Sequence, residues 1–331
     1  MNDILWLSGL DVEKTGVCRL EETVKIVEKT FLLFDRGEAI IAPETALRLD
    51  SGGQDQACYA LPAYVGDELP ICGLKWTSHG KTAVEGKSRI QASIVINDIA
   101  CGVPLALMNG TEIGAARTGA VTALALTHLA PKNPHKVALC GAGGEAESQL
   151  RAILLALSEI KEIAVWSRGN ERNHRLAEKY NTATEPYIHA VASLEEATEG
   201  ADIIIAVTSA AAPYLTSKHL KTASLYCHIG FHEITWEAVN MFRYVVADTW
   251  EEAKNVSGQS LFRYYREGKF KEERVTGTLG GIISKQIKIP RGTPENKVFF
   301  DAFGLPIFDL SVAREAYIRA KYLKVGAQIS W

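Results

Sequence analysis

"KVALCGAGGEAESQL", residues 136–150, runs a short apolar segment into a cluster of glycines and then into a helical pattern. The apolar segment reads as a buried strand. Gly141 permits a tight turn, Gly143 lets backbone N–H groups approach a phosphate, and Ala146 is small enough for a helix to pack on the strand. Gly144 and Glu145 lead into that helix, whose first turn offers unpaired donors and a partial positive charge. The G-x-G-x-x-A spacing between strand and helix matches a dinucleotide-binding fingerprint.

The next apolar strand, "EIAVWSR", ends on Trp166-Ser167-Arg168, where an NAD site carries an acidic residue for the ribose hydroxyls. No carboxylate stands there to repel a 2′-phosphate. Arg168 can pair with that phosphate or stack on adenine, and Ser167 can donate to it. The expected cofactor is NADP(H), with NAD(H) as the alternative if Arg168 is only a solvated charge.

Outward from the loop, strands and helices alternate through "ADIIIAVTS", "SLYCHIG" and "YVVAD". That alternation predicts an α/β fold with a doubly wound, Rossmann-type parallel sheet over residues 116–301. Before it, residues 20–37 read as an amphipathic helix. "ACYALPAYVGDELPICGLKW" reads as a hairpin, and "QASIVIND" with "VPLALMNG" as a second strand pair. "TEIGAARTGAVTALALTHLA" is one long Ala-rich helix, and "LSVAREAYIRAKYLK" a terminal amphipathic helix. Residues 1–115 and 302–331 are thus expected to form a second, α+β domain built from both chain ends.

The totals narrow the function. At 331 residues, two domains are expected. A net charge of −3 without a basic block argues against nucleic-acid binding. No apolar run reaches the roughly 18 residues of a membrane span, and the N-terminus does not read as a secretory signal. Cys18, Cys58, Cys72, Cys101, Cys140 and Cys227 are scattered without a CxxC pair. They point to reduced thiols in a cytoplasm, and no metal site is expected.

"GLKW" (73–76), "ARTGAVTALA" (116–125), "GAGGEAESQL", "VVADTW" (245–250) and "AFGLPIFDLSVA" (302–313) together resemble the ornithine cyclodeaminase/mu-crystallin family over the whole chain. Within it, "ALRLD", "GLKW", "REGKF" and the C-terminal third look most like the branch that cleaves N-(2-amino-2-carboxyethyl)-L-glutamate. "VWSR" looks more like the NADPH-dependent ketimine reductases. The resemblance implies a homodimer, with the domain built from both chain ends binding substrate and dimerising. It implies an NAD(P)-dependent oxidoreductase acting on the C–N bond of an amino or imino acid, with hydride transfer at the alpha carbon. Two alternatives stay open: a cyclodeaminase that retains its NAD, and a non-catalytic nucleotide-bound binding protein.

The resemblance also implies site residues. Arg117 would hold the substrate carboxylate, with Arg48 and Lys75 also at the substrate. Lys75, opposite in direction to Leu74 and Trp76 along its strand, can reach a cleft and exchange protons if desolvated. Thr118 can bond a cofactor phosphate or its own helix backbone. The acid–base group falls on Glu233 or His232, after "LYCHIG", with Glu233 preferred. Thr208 and Ser209 end a strand where the ribose and nicotinamide are expected, or simply satisfy the strand end. Lys81, Lys87 and Arg89 can read a second carboxylate or form a solvated loop. Trp76, Trp166 and Trp236 are read as packing residues.

Overall fold

The computed structural model describes residues 3–49, 56–80, 88–181 and 185–331. The chain divides into unit 1, residues 1–120 with 304–331, and unit 2, residues 121–303. From the N-terminus run β1 (Asp3–Leu7), α1 (Gly9–Lys14), α2 (Leu20–Asp35), β2 (Ala39–Ile41) and β3 (Thr45–Arg48). They are followed by β4 (Ala57–Val65), β5 (Ile71–His79), β6 (Ile90–Asp98), β7 (Pro104–Asn109) and α3 (Thr111–Leu129). Unit 2 continues with β8 (Lys136–Cys140), α4 (Ala146–Ala156), β9 (Glu162–Trp166), α5 (Asn170–Tyr180), β10 (Tyr187–Ala190) and α6 (Leu194–Thr198). Next come β11 (Ile203–Ala206), β12 (Leu225–His228), α7 (Trp236–Val239), β13 (Tyr244–Ala247), α8 (Ser260–Arg266), β14 (Val275–Thr278), α9 (Leu279–Ile283) and β15 (Val298–Asp301). The chain returns to unit 1 with α10 (Pro306–Leu323) and β16 (Ala327–Ser330).

Unit 1 is a sheet in the order β16-β1-β7-β6-β5-β4-β2, with β3 also on β4. The two strand pairs read from the sequence are there, with Leu61 opposite Lys75 and Ile94 opposite Met108. Directly opposite residues share a face. Leu61, Lys75, Ile94 and Met108 therefore point to one side, and all four are buried. Helices α2 and α10 pack with this unit, and Phe31 meets Phe308 at 4.6 Å between ring centroids. The terminal helix differs from expectation. It begins at Pro306, a residue suited to a first helical turn, and is buried on every side from Pro306 through Arg314. It is a core helix in its first half, which is why it shows no amphipathic stripe there. Strands β1 and β16, which pair with each other, carry no strong alternation and were not expected.

Unit 2 holds a sheet in the order β10-β9-β8-β11-β12-β15-β13-β14, every pairing parallel. Winding runs outward from β8 through β9 to β10, then reverses to β11. This is the doubly wound arrangement, and ligands bind at such a reversal, beyond the carboxyl ends of the strands. Its inner strands are covered on both faces, which explains runs such as Ile203-Ile204-Ile205 with no exposed atom. The register aligns Cys140, Ala206, His228, Asp301 and Ala247 in one row at the carboxyl edge. That row positions every candidate residue of unit 2.

Candidate active site

In unit 2, β8 ends at Cys140 and the chain turns at Gly141, whose φ is +132°. A Cβ there would stand 2.6 Å from the Val207 carbonyl oxygen, so only glycine fits the turn. At Gly143 a Cβ would meet nothing within 4 Å, and Gly143, Gly144 and Glu145 are exposed. Ala146 is fully buried where α4 meets the sheet. Glu145 is the N-cap residue, and no side chain caps the first turn of α4. A tight turn, an open backbone and an uncapped helix start fit a dinucleotide pyrophosphate.

At the end of β9, Arg168 is exposed and makes no hydrogen bond or ion pair among the described residues. Ser167 differs from expectation: its hydroxyl donates to the Gly169 carbonyl at 2.8 Å, closing a local turn instead of pointing outward as a donor. Thr118 likewise donates to the Gly114 carbonyl at 2.8 Å, the helix-backbone alternative. Trp166 packs against the buried cluster of unit 2 and Trp236 does the same, whereas Trp76 is 40% exposed on the outer face of unit 1.

Glu233 takes a different place from the one the sequence suggested. It has no exposed surface, and its Oε1 accepts from the Thr208 amide at 2.6 Å and the Thr208 hydroxyl at 2.5 Å. Both donors of Thr208 are thereby consumed, leaving Ser209, which is exposed, as the open hydroxyl of this edge. The other Glu233 oxygen faces His228 Nε2 at 3.4 Å, and His228 Nδ1 lies 2.9 Å from Asp301 Oδ2. Burial pushes both carboxyls above their ordinary values, chiefly against the pull of His228. Burial alone would lower His228, but Asp301 and Glu233 outweigh it and raise it. Glu233 therefore belongs to a sealed network that fixes Thr208 and the turn at Gly230, where a Cβ would fall 2.4 Å from Glu233 Oε1. Its neighbour His232 is half-buried, with Nδ1 3.1 Å from the Ser260 hydroxyl oxygen. That oxygen also accepts from the Glu233 amide at 3.0 Å. Burial, then Arg263, lowers His232 and favours the neutral ring.

In unit 1, Lys75 is 6% exposed on β5, and its Nζ donates to Asp309 Oδ2 at 2.8 Å. Arg117, on α3, donates through Nε to the same carboxylate at 3.3 Å. Its guanidinium also lies against Gly304 (φ +91°), where a Cβ would stand 2.7 Å from Nη1. Lys75 and Arg117 are thus brought together; Arg48 is not in that contact. It ends β3, exposed, opposite Ala57 and so on the Lys75 face. Glu44, half-buried just before β3, is pushed up by burial and pulled down by Lys75 and then Arg48, so it lies within their field. Lys81 and Lys87 lie outside the described residues, and Arg89 immediately precedes β6.

Sequence reasoning missed Asp309, His228 and Asp301. Each has a faint signal, a lone ionisable residue inside an apolar run: "LPIFDLSVA", "SLYCHIG" and "VFFDAF".

An N-((2S)-2-amino-2-carboxyethyl)-L-glutamate dehydrogenase of Staphylococcus aureus is 24% identical over 334 residues, covering 99% of this chain and 98% of that one. The Δ1-pyrroline-2-carboxylate reductase of Thermococcus litoralis, solved in complex with NADH and L-proline, has a TM-score of 0.89 at 29% identity. That match covers 98% of this chain and 100% of the other. An archaeal alanine dehydrogenase dimer with bound NAD gives 0.86 at 25% identity, with 100% of each chain covered. The model of the ornithine cyclodeaminase/mu-crystallin family matches residues 6–324, and the chain belongs to that family.

Proposed function

We propose that the chain is an NAD(P)-dependent oxidoreductase acting on the C–N bond of an amino or imino acid. The observation that carries it is the Gly141 turn leading into the uncapped start of α4, in a chain whose relatives reduce imines or oxidise amino acids. Unit 2 binds the dinucleotide through Gly141, Gly143, Gly144, Glu145 and Ala146. Unit 1 binds the substrate. The cofactor, when bound, supplies or accepts a hydride.

The chain's own residues do the rest. Arg117 uses Nε for Asp309, and its outer edge takes one oxygen of the substrate carboxylate. Arg48 neutralises the other oxygen from the same sheet face. Lys75 stands as an ammonium in an ion pair and donates a hydrogen bond toward the nitrogen, which makes the adjacent carbon more electrophilic. His232, neutral and partly exposed, is the proton-exchanging group of unit 2, while Glu233 acts through Thr208 as a positioning residue. We take NADP(H) as the preferred cofactor, supported by the exposed Arg168 and the lack of a carboxylate in Trp166-Ser167-Arg168.

We also propose a homodimer in a reducing cytoplasm. Six free cysteines support the compartment. Support for the dimer comes from the exposed outer face of unit 1, which carries Ile40, Leu47 and Trp76, and from the dimeric alanine dehydrogenase relative. Light scattering after gel filtration tests it; a monomer at micromolar concentration contradicts it.

The decisive experiment follows absorbance at 340 nm with NADPH and with NADH. Substrates are cyclic ketimine acids and 2-oxo acids mixed with amines, and the reverse reaction is run with amino acids. Consumption of NADPH with at least one imino acid is expected. No turnover in either direction with any of them overturns the proposal.

A further inference from the structure

The register of unit 1 gathers polar side chains on the sheet face that carries Lys75. Lys75, Thr77 and His79 alternate along β5 and so point to one side. Tyr59 lies directly opposite Thr77 on β4, and Ala57 opposite His79. On β3, Arg48 lies opposite Ala57. A ring contact shows the shared face directly, with the Tyr59 and His79 centroids 5.1 Å apart. Same-face neighbours along a strand stand about 7 Å apart. The route across this face from Lys75 to Arg48 therefore passes over Thr77 and Tyr59 and ends beside His79. Glu44 borders the same region, because both Lys75 and Arg48 act on it. Tyr59, Thr77 and His79 are all half-buried, and the Thr77 hydroxyl makes no hydrogen bond among the described residues. The residues flanking the Tyr59–Thr77 pair in its row are Ala46 and Ala92, two methyl side chains that are not buried and do not wall the pair off.

We propose that Tyr59, Thr77 and His79 determine specificity: they select a substrate whose side chain is uncharged and hydrogen-bonding, such as an amide or an alcohol. The inference rests on the proposed function, which puts Lys75 and Arg48 at the substrate. A molecule held by both lies over Thr77 and Tyr59. Each of these hydroxyls both donates and accepts, and a neutral imidazole offers one nitrogen of each kind. Such a lining matches a group that itself donates and accepts. An apolar side chain would cover these polar groups without pairing them, which costs binding. A second carboxylate would meet Glu44. An ammonium would meet Lys75 and Arg48.

The test follows oxidation of amino acids by NADP+, and calorimetric binding of the same amino acids to the NADP+-loaded protein. L-Glutamine and L-homoserine are compared with L-norleucine and L-norvaline, their apolar counterparts in length. L-Glutamate and L-ornithine are the charged arms. The better of the two uncharged polar substrates should lead every apolar and charged one in kcat/KM by about tenfold, the scale of one or two well-made hydrogen bonds. The Tyr59→Phe/Thr77→Val double variant removes both hydroxyls and keeps the shape. In it the lead over the apolar counterpart should fall to about twofold or less, with an unchanged Kd for NADPH. His79→Leu should lower the lead in the same direction. If the double variant does not fold, Thr77→Val alone carries the test through a reduced lead. If wild type oxidises none of the six, the redox reading falls, and the calorimetric Kd values, expected in the same order, decide the side-chain assignment. A lead held by an apolar or charged side chain, no lead at all, or a lead untouched in the folded variants overturns the inference.

Discussion

His228 Nδ1 lies 2.9 Å from Asp301 Oδ2, and neither residue has any solvent-exposed surface. With Glu233 on the opposite ring nitrogen, the imidazole bridges the carboxyl ends of β12 and β15 and the turn that holds Thr208. The pair is a fixture of unit 2, and its first consequence is a stability that depends on pH. All three groups are raised, so each holds its proton more tightly in the folded state than in the unfolded chain. The folded state then binds more protons, and stability falls as pH rises. Surface carboxylates such as Glu147 and Glu162 are lowered and already ionised in both states above their ordinary value of 4.5, so they add no slope there. From pH 6.5, the ordinary histidine value, toward pH 9, the urea midpoint is expected to decline. A midpoint that rises across that window contradicts the assignment.

Replacing the imidazole tests the same network. His228→Phe leaves two buried carboxylates without their shared cation, a change that costs about 3–5 kcal/mol when a buried ion pair loses one member. Thermal and urea unfolding of the variant should show that loss, and the decline above pH 6.5 should flatten. A variant as stable as wild type would mean that the carboxylates are neutral and need no partner.

The network also shows what could be read from the chain alone. The glycine loop was legible because its meaning is local: strand, turn and helix lie within 15 consecutive residues, "KVALCGAGGEAESQL". The doubly wound sheet followed from alternation for the same reason. Glu233 and His232 are adjacent, and no spacing rule tells which is sealed. Burial decided it, through contacts with Thr208, 25 positions away, and with Asp301 by way of His228. Asp309 lay in a quoted motif but acquired meaning only when β5 and α3 were placed against it. Strand β16 was missed because it is exposed at every residue and shows no buried face.

Gly141→Ala should lose cofactor binding and some stability. Its φ of +132° costs an alanine about 1–3 kcal/mol, and its Cβ would press on the Val207 carbonyl oxygen. Titration of the folded variant with NADPH, followed by fluorescence, should show a Kd at least tenfold above wild type. Gly143→Ala, whose Cβ meets no protein atom, should leave the melting temperature unchanged while still weakening binding.

Arg168→Ala should separate the two dinucleotides. A charge-assisted contact to a 2′-phosphate is worth about 1.5–3 kcal/mol, which is tenfold or more in affinity. NADPH binding should weaken by that factor and NADH binding should hardly change. Equal effects on both would assign Arg168 to adenine stacking and remove the argument for NADP(H).

Arg117→Lys keeps the charge and loses the planar fork. Asp309 remains paired with Lys75, so the melting temperature should move little. The kcat/KM for the imino acid should fall about 10²-fold. A fall matched by loss of folded protein would make Arg117 a packing residue only.

Unit 1 is assembled from both ends of the chain, and this bears on how the protein comes off the ribosome. Helix α10 packs on a sheet whose strands other than β16 were synthesised long before it, as the 234-position gap between Lys75 and Asp309 records. Translation at about 5–20 residues per second would leave those strands without their central helix for many seconds, while the intervening residues of unit 2 can fold as a block. Nascent chains arrested before Pro306 should accordingly be captured by chaperones and cut by proteases within residues 1–120, and become resistant once α10 has emerged.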